Sequence, residues 1–356
     1  MNTTASPLTN IDLSGDAARQ VVIAAGTPEI YQGHPTTLLL PDGQTLLATW
    51  CLNHGGACGP LKRSEDGGLT WSELLPVPEN WKTVKNCPAL YYLTAPDGAE
   101  RIFIFAGQGP DGTMHQTFSE DGGHTWTPME SNGLTAVMPF CTIVPISNGA
   151  KLLALTNIRR PGEPAGNRSN ILAQSESTDG GLTWSPLQTI LDVPGSVLCE
   201  PELVRSPDGG QLLCLIRENE RSLPAVFITS DDAGRTWSSP KPLPPGLHGD
   251  RHKAVQTEQG DLVVCFRDMS KESPFQDHFV AWVGTYADIV EGRPGRHRVK
   301  LLHSHSAPNV WDCGYPGLER LPDGTLVATT YIKYQEGPEK HSIVSVRFRL
   351  EDLVQK

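Results

Sequence analysis

A chain of 356 residues with 35 glycines, 30 prolines and 19% charged residues is long enough to bury a large core and too rich in turn formers for a helical bundle. Its formal net charge of −11, without any run of lysines or arginines, argues against a partner such as nucleic acid or an anionic membrane surface. No apolar run reaches transmembrane length.

Residues 1–19 have neither a basic leader nor an apolar stretch of signal-peptide type, and they read as a short lead on a cytoplasmic protein. The segment RQVVIAAG that follows reads as a lone strand. Next comes TTLLL, an Asp42-Gly43 turn, the strand TLLATW, and a third strand LKRS that runs into the turn SEDGGLTW at Ser64. Alternation of this kind, punctuated by Asp-Gly, is a hairpin signal. The same turn returns as SEDGGHTW at Ser119, STDGGLTW at Ser177 and SDDAGRTW at Ser230, spaced by 55, 58 and 53 residues. In each unit two strands precede a third that enters the turn, and a fourth is expected after the Trp. Two further units lack the turn: HKAVQTEQGDLVVCFRD with FVAWVGTY, and YPGLERLPDGTLVATTYIKY with HSIVSVRFRL. The sixth is short of an outer strand, which the segment near residue 20 can supply. A repeat of this period means stacked supersecondary units, so the chain is expected to be all-β: a six-bladed β-propeller over residues 20–356, one domain, closed by its N-terminal strand.

The shared Ser-x-Asp-x-Gly-x-Thr-Trp pattern resembles the Asp-box, or bacterial neuraminidase repeat, of the sialidase superfamily. The resemblance spans residues from about 20 to 350. The boxes themselves are read as scaffold: Asp and Ser bond neighbouring backbone, Gly supplies unusual φ, and Trp packs between sheets. Topology puts them on the face opposite the axial funnel, where first strands begin and second strands end. The residues at those ends include His34, His54, Asn86, Arg159, Arg160, Glu200, Arg217, Arg251, His252, Arg267, Asp268, Asp312 and Tyr315. Several arginines at equivalent ends of neighbouring blades point to an anion, because the guanidinium fork matches a carboxylate.

The resemblance implies roles. In CEPELVRSPDGGQLLCLIR, Glu200 and Arg217 take the places of the family's glutamate and a clamp arginine, and Tyr315 in WDCGYPGLERLPDG takes that of its tyrosine nucleophile. Arg267 matches a further arginine, with Arg251 as second candidate. Two departures stand out. Gly33, in YQGHPTTLLL, occupies the place of the family's first arginine, leaving Arg159, Arg160 or Arg251 as substitutes. The loop CLNHGGACGPLKRS lacks the family's acid/base aspartate, and His54 is its proton donor of suitable pKa, with Asp312 and Asp268 as other candidates.

Three functions follow as expectations. The first is an exo-glycosidase removing a terminal acidic sugar, sialic acid or a related nonulosonic acid, with Tyr315, Glu200, His54 and Asp312 as catalytic residues. Arg217, Arg267, Arg251, His252, His34, Asn86 and Arg159 would bind substrate. The second is a uronate-glycan lyase or glycosidase working through His34, His54, His252 and Tyr315. The third is a non-catalytic carbohydrate-binding propeller. No nucleotide or redox motif is present, pairs such as Asp250–His252 make a weak metal set, and the eight cysteines show no CxxC spacing and read as reduced, buried thiols.

Overall fold

The computed structural model describes residues 8–163, 170–221, 223–307 and 310–354. Six sheets follow one another along the chain, antiparallel except for one added outer strand, and strand order within each runs outward from the axis. Blade one comprises Gln32–Leu39, Leu46–Leu52 and Leu61–Ser64. Blade four, with Leu198–Arg205, Leu212–Glu218, Val226–Ser230 and Lys241–Pro242, is four-stranded, as are blades two, three and six. Blade six holds Gly314–Arg320, Leu326–Ile332 and Ser342–Phe348, and its outermost strand is Gln20–Ala24 from the other end of the chain. That pairing closes the ring by hydrogen bonds between segments more than 300 residues apart, leaving no first or last blade exposed.

Two details differ from the sequence expectation. Blade one has three strands rather than four. The segment after Trp71 reads SELLPVPEN, and its prolines Pro76 and Pro78 have no N–H to extend a ladder beyond the bonds from Ser72 to Arg63 and from Leu75 to Leu61. Residues 9–12, read as part of a lead, form a strand parallel to His297–Leu302 and give blade five a fifth strand.

Apolar side chains pack chiefly between blades. Leu213, Leu215 and Phe227 of blade four meet Val264, Phe266 and Trp282 of blade five, and comparable clusters fill the other junctions. The boxes knit these junctions together. In each, the Ser hydroxyl donates to the Asp carboxylate and accepts from a glycine N–H, while the Asp accepts from the Thr backbone and hydroxyl, as at Ser64, Asp66, Gly68 and Thr70. The glycine that bonds the Ser has φ of +85° to +98°, and in the second, third and fourth boxes a Cβ there would strike the preceding blade: Leu47 at 2.8 Å from Gly123, Leu153 at 2.6 Å from Gly234. All eight cysteines are buried, free thiols. No helix among the described residues is long and apolar enough to cross a membrane.

Candidate active site

One local device builds the floor of the funnel. Where the innermost strands of blades one, four, five and six begin, two residues oppose one on the neighbouring strand, giving a β-bulge in each. The first bulged residue is left-handed in every case: His34 at φ 46°, Glu200 at 54°, Arg251 at 55° and Tyr315 at 50°. Cys87, at the head of blade two, has φ 54°. Four of these five precede proline, as HP, CP, EP and YP, so the second residue needs no partner for an N–H. Left-handed non-glycine residues cost of order 1 kcal/mol or more each, and they concentrate at functional sites. The repeated X-Pro at strand starts was a signal in the sequence that strand alternation alone does not use.

Around Glu200 the floor is tightly bonded. Glu200 is 3% exposed; Oε2 accepts from Arg217 at 2.8 Å and Oε1 accepts from the Tyr315 hydroxyl. Burial alone would raise its pKa, but the guanidinium charges of Arg217 and Arg251 and the two hydrogen bonds hold it below the ordinary glutamate range. Burial and the Glu200 charge push Tyr315 well above the ordinary phenol value. The resting pair is therefore a carboxylate accepting from a neutral phenol. His34 stacks on the Tyr315 ring at 4.1 Å, with its Nδ1 3.0 Å from the Cys87 thiol, and burial keeps this imidazole neutral.

The arginines converge on Asp250, which the sequence offered only as half of a weak metal pair. Asp250, 2% exposed, pairs with Arg217 at 3.0 Å, Arg221 at 2.5 Å and Arg267 at 2.6 Å. Burial opposes ionisation of Asp250, but the three cations outweigh it and its pKa falls far below the usual aspartate value. Arg267 spends its remaining bonds on the carbonyls of Trp311 and Cys313, at 2.8 Å each. Arg221, also unforeseen, lies 5.0 Å over the Trp311 ring.

On the opposite wall, His54 stands in a turn between the left-handed Asn53 and Gly55, and its Nδ1 is 3.2 Å from Asp312. Asp312 also accepts from the hydroxyls of Tyr31 at 2.8 Å and Tyr331 at 2.9 Å. Burial opposes its charge, yet the bond from His54, the nearby His341 and the Tyr31 hydroxyl bring its pKa far down. Tyr31 also accounts for the missing arginine. A Cβ on Gly33 would lie 2.6 Å from the Asn53 carbonyl and 2.8 Å from the Tyr31 ring, so the place holds no side chain.

A cavity of about 350 Å³ opens above this floor, lined among others by His54, Asn157, Arg159, Glu200, Arg217, Arg267, Trp311 and Tyr315. Other expected residues lie elsewhere. Arg251 is under the Tyr315 ring, 5.5 Å away, and lines a different cavity. The His252 ring turns into blade five, bonds the Leu247 carbonyl at 2.9 Å and packs on Phe266; burial lowers its pKa to about 4. Asp268 is fully buried against Ser273 and Arg298, away from the funnel. Arg160 pairs with Asp192 at 2.7 Å. Asn86 spans to blade three, donating to the Val137 carbonyl at 2.7 Å.

The family model for the BNR repeat-like domain matches residues 17–213. Among solved structures, the chain is similar to a protein of unknown function from Dyadobacter fermentans: 17% identity, TM-score 0.69, covering 92% of this chain and 98% of that one. It is also similar to the intramolecular trans-sialidase of Ruminococcus gnavus in complex with oseltamivir carboxylate, at 14% identity and TM-score 0.60, covering 94% and 98%. The NanB sialidase of Streptococcus pneumoniae is a third, at 13% identity and TM-score 0.57, covering 93% and 70%. At such identities these likenesses show the fold. No curated protein matches the chain. With more than half its length matched by the family model and its boxes bonded as above, the chain belongs to the BNR repeat-like family, as a divergent member of the sialidase/BNR-type superfamily.

Proposed function

We propose that the protein is a retaining glycoside hydrolase of sialidase type, removing a terminal acidic sugar with Tyr315 as nucleophile. The observation that carries this reading is the Tyr315 hydroxyl donating to a buried, charged Glu200 that is itself held by Arg217. A free phenol is a poor nucleophile at neutral pH, and a carboxylate already accepting its proton makes attack feasible. A neutral nucleophile suits a sugar that carries a carboxylate at the reacting carbon. The arginines favour the same substrate. Arg217, Arg221 and Arg267 share Asp250 and Glu200, so one positive charge is left over on the funnel side to meet an anion. The trans-sialidase and sialidase named among the similar structures are consistent with that substrate class.

In the proposed reaction Glu200 takes the proton as the Tyr315 oxygen bonds to the anomeric carbon. His54, with its Nδ1 against Asp312, gives a proton to the leaving glycosidic oxygen. Water then displaces Tyr315, with His54 accepting its proton and Glu200 returning the proton to the phenol. Arg217 meets the sugar carboxylate, and Arg267, its N–H groups held by Asp250 and two backbone carbonyls, adds its charge. His54 replaces the aspartate that the resemblance leads one to expect.

The test is turnover of fluorogenic sialosides and uronosides by the wild type, Tyr315→Phe and Arg217→Ala. Sialoside cleavage lost in both variants supports the proposal. An unsaturated product absorbing in the ultraviolet marks a lyase instead, and binding of acidic glycans without turnover marks a lectin-like propeller.

A further inference from the structure

A second cavity, of about 290 Å³, follows the propeller axis on the far side of Tyr315 from the funnel. It is bounded by the inner strands, with Arg251 at its head and Glu202, Lys253 and Glu319 farther along. The last three of these groups are accounted for. Lys253 pairs with Glu202 at 3.1 Å, and Glu202 also accepts from the Ala254 N–H. Glu319 accepts from the Thr37 hydroxyl and the Leu39 N–H, and burial raises its pKa.

Arg251 is different. Its bulge turns it under the Tyr315 ring, and among the described residues no carboxylate oxygen lies within 4 Å of it. The groups nearest to it electrostatically are the Cys141 thiol, Glu200, the Tyr315 phenol and the Tyr91 phenol. Of these Glu200 alone is charged, and its carboxylate oxygens already serve Arg217 and Tyr315. Burial drives the Cys141 and Tyr91 protons on rather than off. Arg251 is part-buried, its one close side-chain acceptor among the described residues is the weakly accepting Cys141 sulfur, and its five N–H donors leave room for a further acceptor from the cavity.

We propose that the axial cavity is a binding site for a small monovalent inorganic anion of the halide class, held by the Arg251 guanidinium. The cavity gives the volume and Arg251 the unspent charge. The Lys253–Glu202 pair also lines the cavity, with the Lys253 side chain a third exposed. The site is separate from the funnel and does not depend on the glycosidase reading.

The experiment compares thermal unfolding in sodium bromide or chloride with sodium gluconate at constant ionic strength, for the wild type and Arg251→Gln. It is paired with anomalous diffraction from wild-type crystals grown in bromide. The wild type is expected to gain about 2 °C in Tm for each tenfold rise in halide beyond half-saturation, with a bromide peak against Arg251, and Arg251→Gln to show no halide response. Equal Tm values in halide and gluconate, a full halide response in Arg251→Gln, or bromide found only outside the axial cavity overturns the proposal. If Arg251→Gln does not fold, the wild-type bromide map decides. None of these readouts uses a substrate, so their failure is distinguishable from failure of the sialoside assay.

Discussion

Tyr315 and Glu200 meet across the propeller axis, 115 residues apart in sequence, each from a left-handed bulge at the head of its blade's innermost strand. The phenol hydrogen points at the carboxylate, and both residues hold the protonation state that the first step of a tyrosine-nucleophile mechanism requires.

Replacing Glu200 with Gln removes the acceptor for that proton while keeping shape. Sialoside kcat is expected to fall about 10²- to 10⁴-fold, the usual contribution of a positioned base. Tyr315→Phe should fall at least as far. Comparing the two by steady-state kinetics separates the base from the nucleophile, since Glu200→Gln retains a slow nucleophile and Tyr315→Phe retains none.

Asp250→Ala leaves three arginines around an empty place. Removing one partner of a buried ion pair typically costs about 3–5 kcal/mol, so a large loss of stability is expected in denaturant unfolding. Asp250→Asn keeps volume and some hydrogen bonds and should lose less stability, yet raise KM for an acidic substrate because the arginines are no longer aligned.

Stability should also fall on acidification in two stages. His252, with a pKa lowered to about 4, stays neutral in the fold while the unfolded chain takes up a proton near 6.5. Its contribution is therefore complete above about 6.5 and lost as pH falls towards 4, at about 1.4 kcal/mol per pH unit. Asp250 and Asp312, whose pKa values are depressed, contribute stability above the unfolded aspartate value and lose it at still lower pH. Chemical denaturation from pH 8 to 3 checks this, and a His252→Gln variant should flatten the upper stage.

Gly33→Arg, which writes the family's first arginine back into the chain, is expected to destabilise the protein and to restore nothing. Its Cβ would overlap the Asn53 carbonyl and the Tyr31 ring, and overpacking typically costs about 1–3 kcal/mol. A double variant with Tyr31→Ala relieves the ring clash but removes a donor to Asp312. A lower Tm in the single variant with no gain in sialoside turnover is the expected result.

Ser119→Ala removes the hydroxyl that binds both Asp121 and the Gly123 N–H in the second box. A buried N–H left unsatisfied costs about 1–3 kcal/mol. Tm should drop by a few degrees with activity per folded molecule unchanged, because the box lies away from the funnel.

Repeat, blade order and the identity of four floor residues were legible in the sequence, because strand alternation and the box are local patterns with fixed spacing. Glu200, Arg217, Arg267 and Tyr315 do line one cavity. Arg251 and His252 were misplaced for a definite reason. Strand reading assumes a side-chain period of two, and a bulge at Arg251 breaks it, sending the arginine down the axis and the histidine into the blade. Asp250 was read only as half of a weak metal pair, since nothing local marks an aspartate as the shared partner of arginines 17, 29 and 33 residues away.

What the sequence determined by itself was the ring: period-two strands, turns that need glycine, and a leftover first strand that fits the last blade. Tertiary structure alone decided how charge is distributed around the axis. Asp250 between three arginines, Asp312 behind His54, Tyr31 in the space above Gly33 and an Arg251 without a carboxylate partner among the described residues all depend on which side chains from different blades arrive within bonding distance. Backbone patterns are written along the chain, whereas Coulomb energy and desolvation are set by neighbours in space, and in a propeller those neighbours come from opposite ends of the sequence.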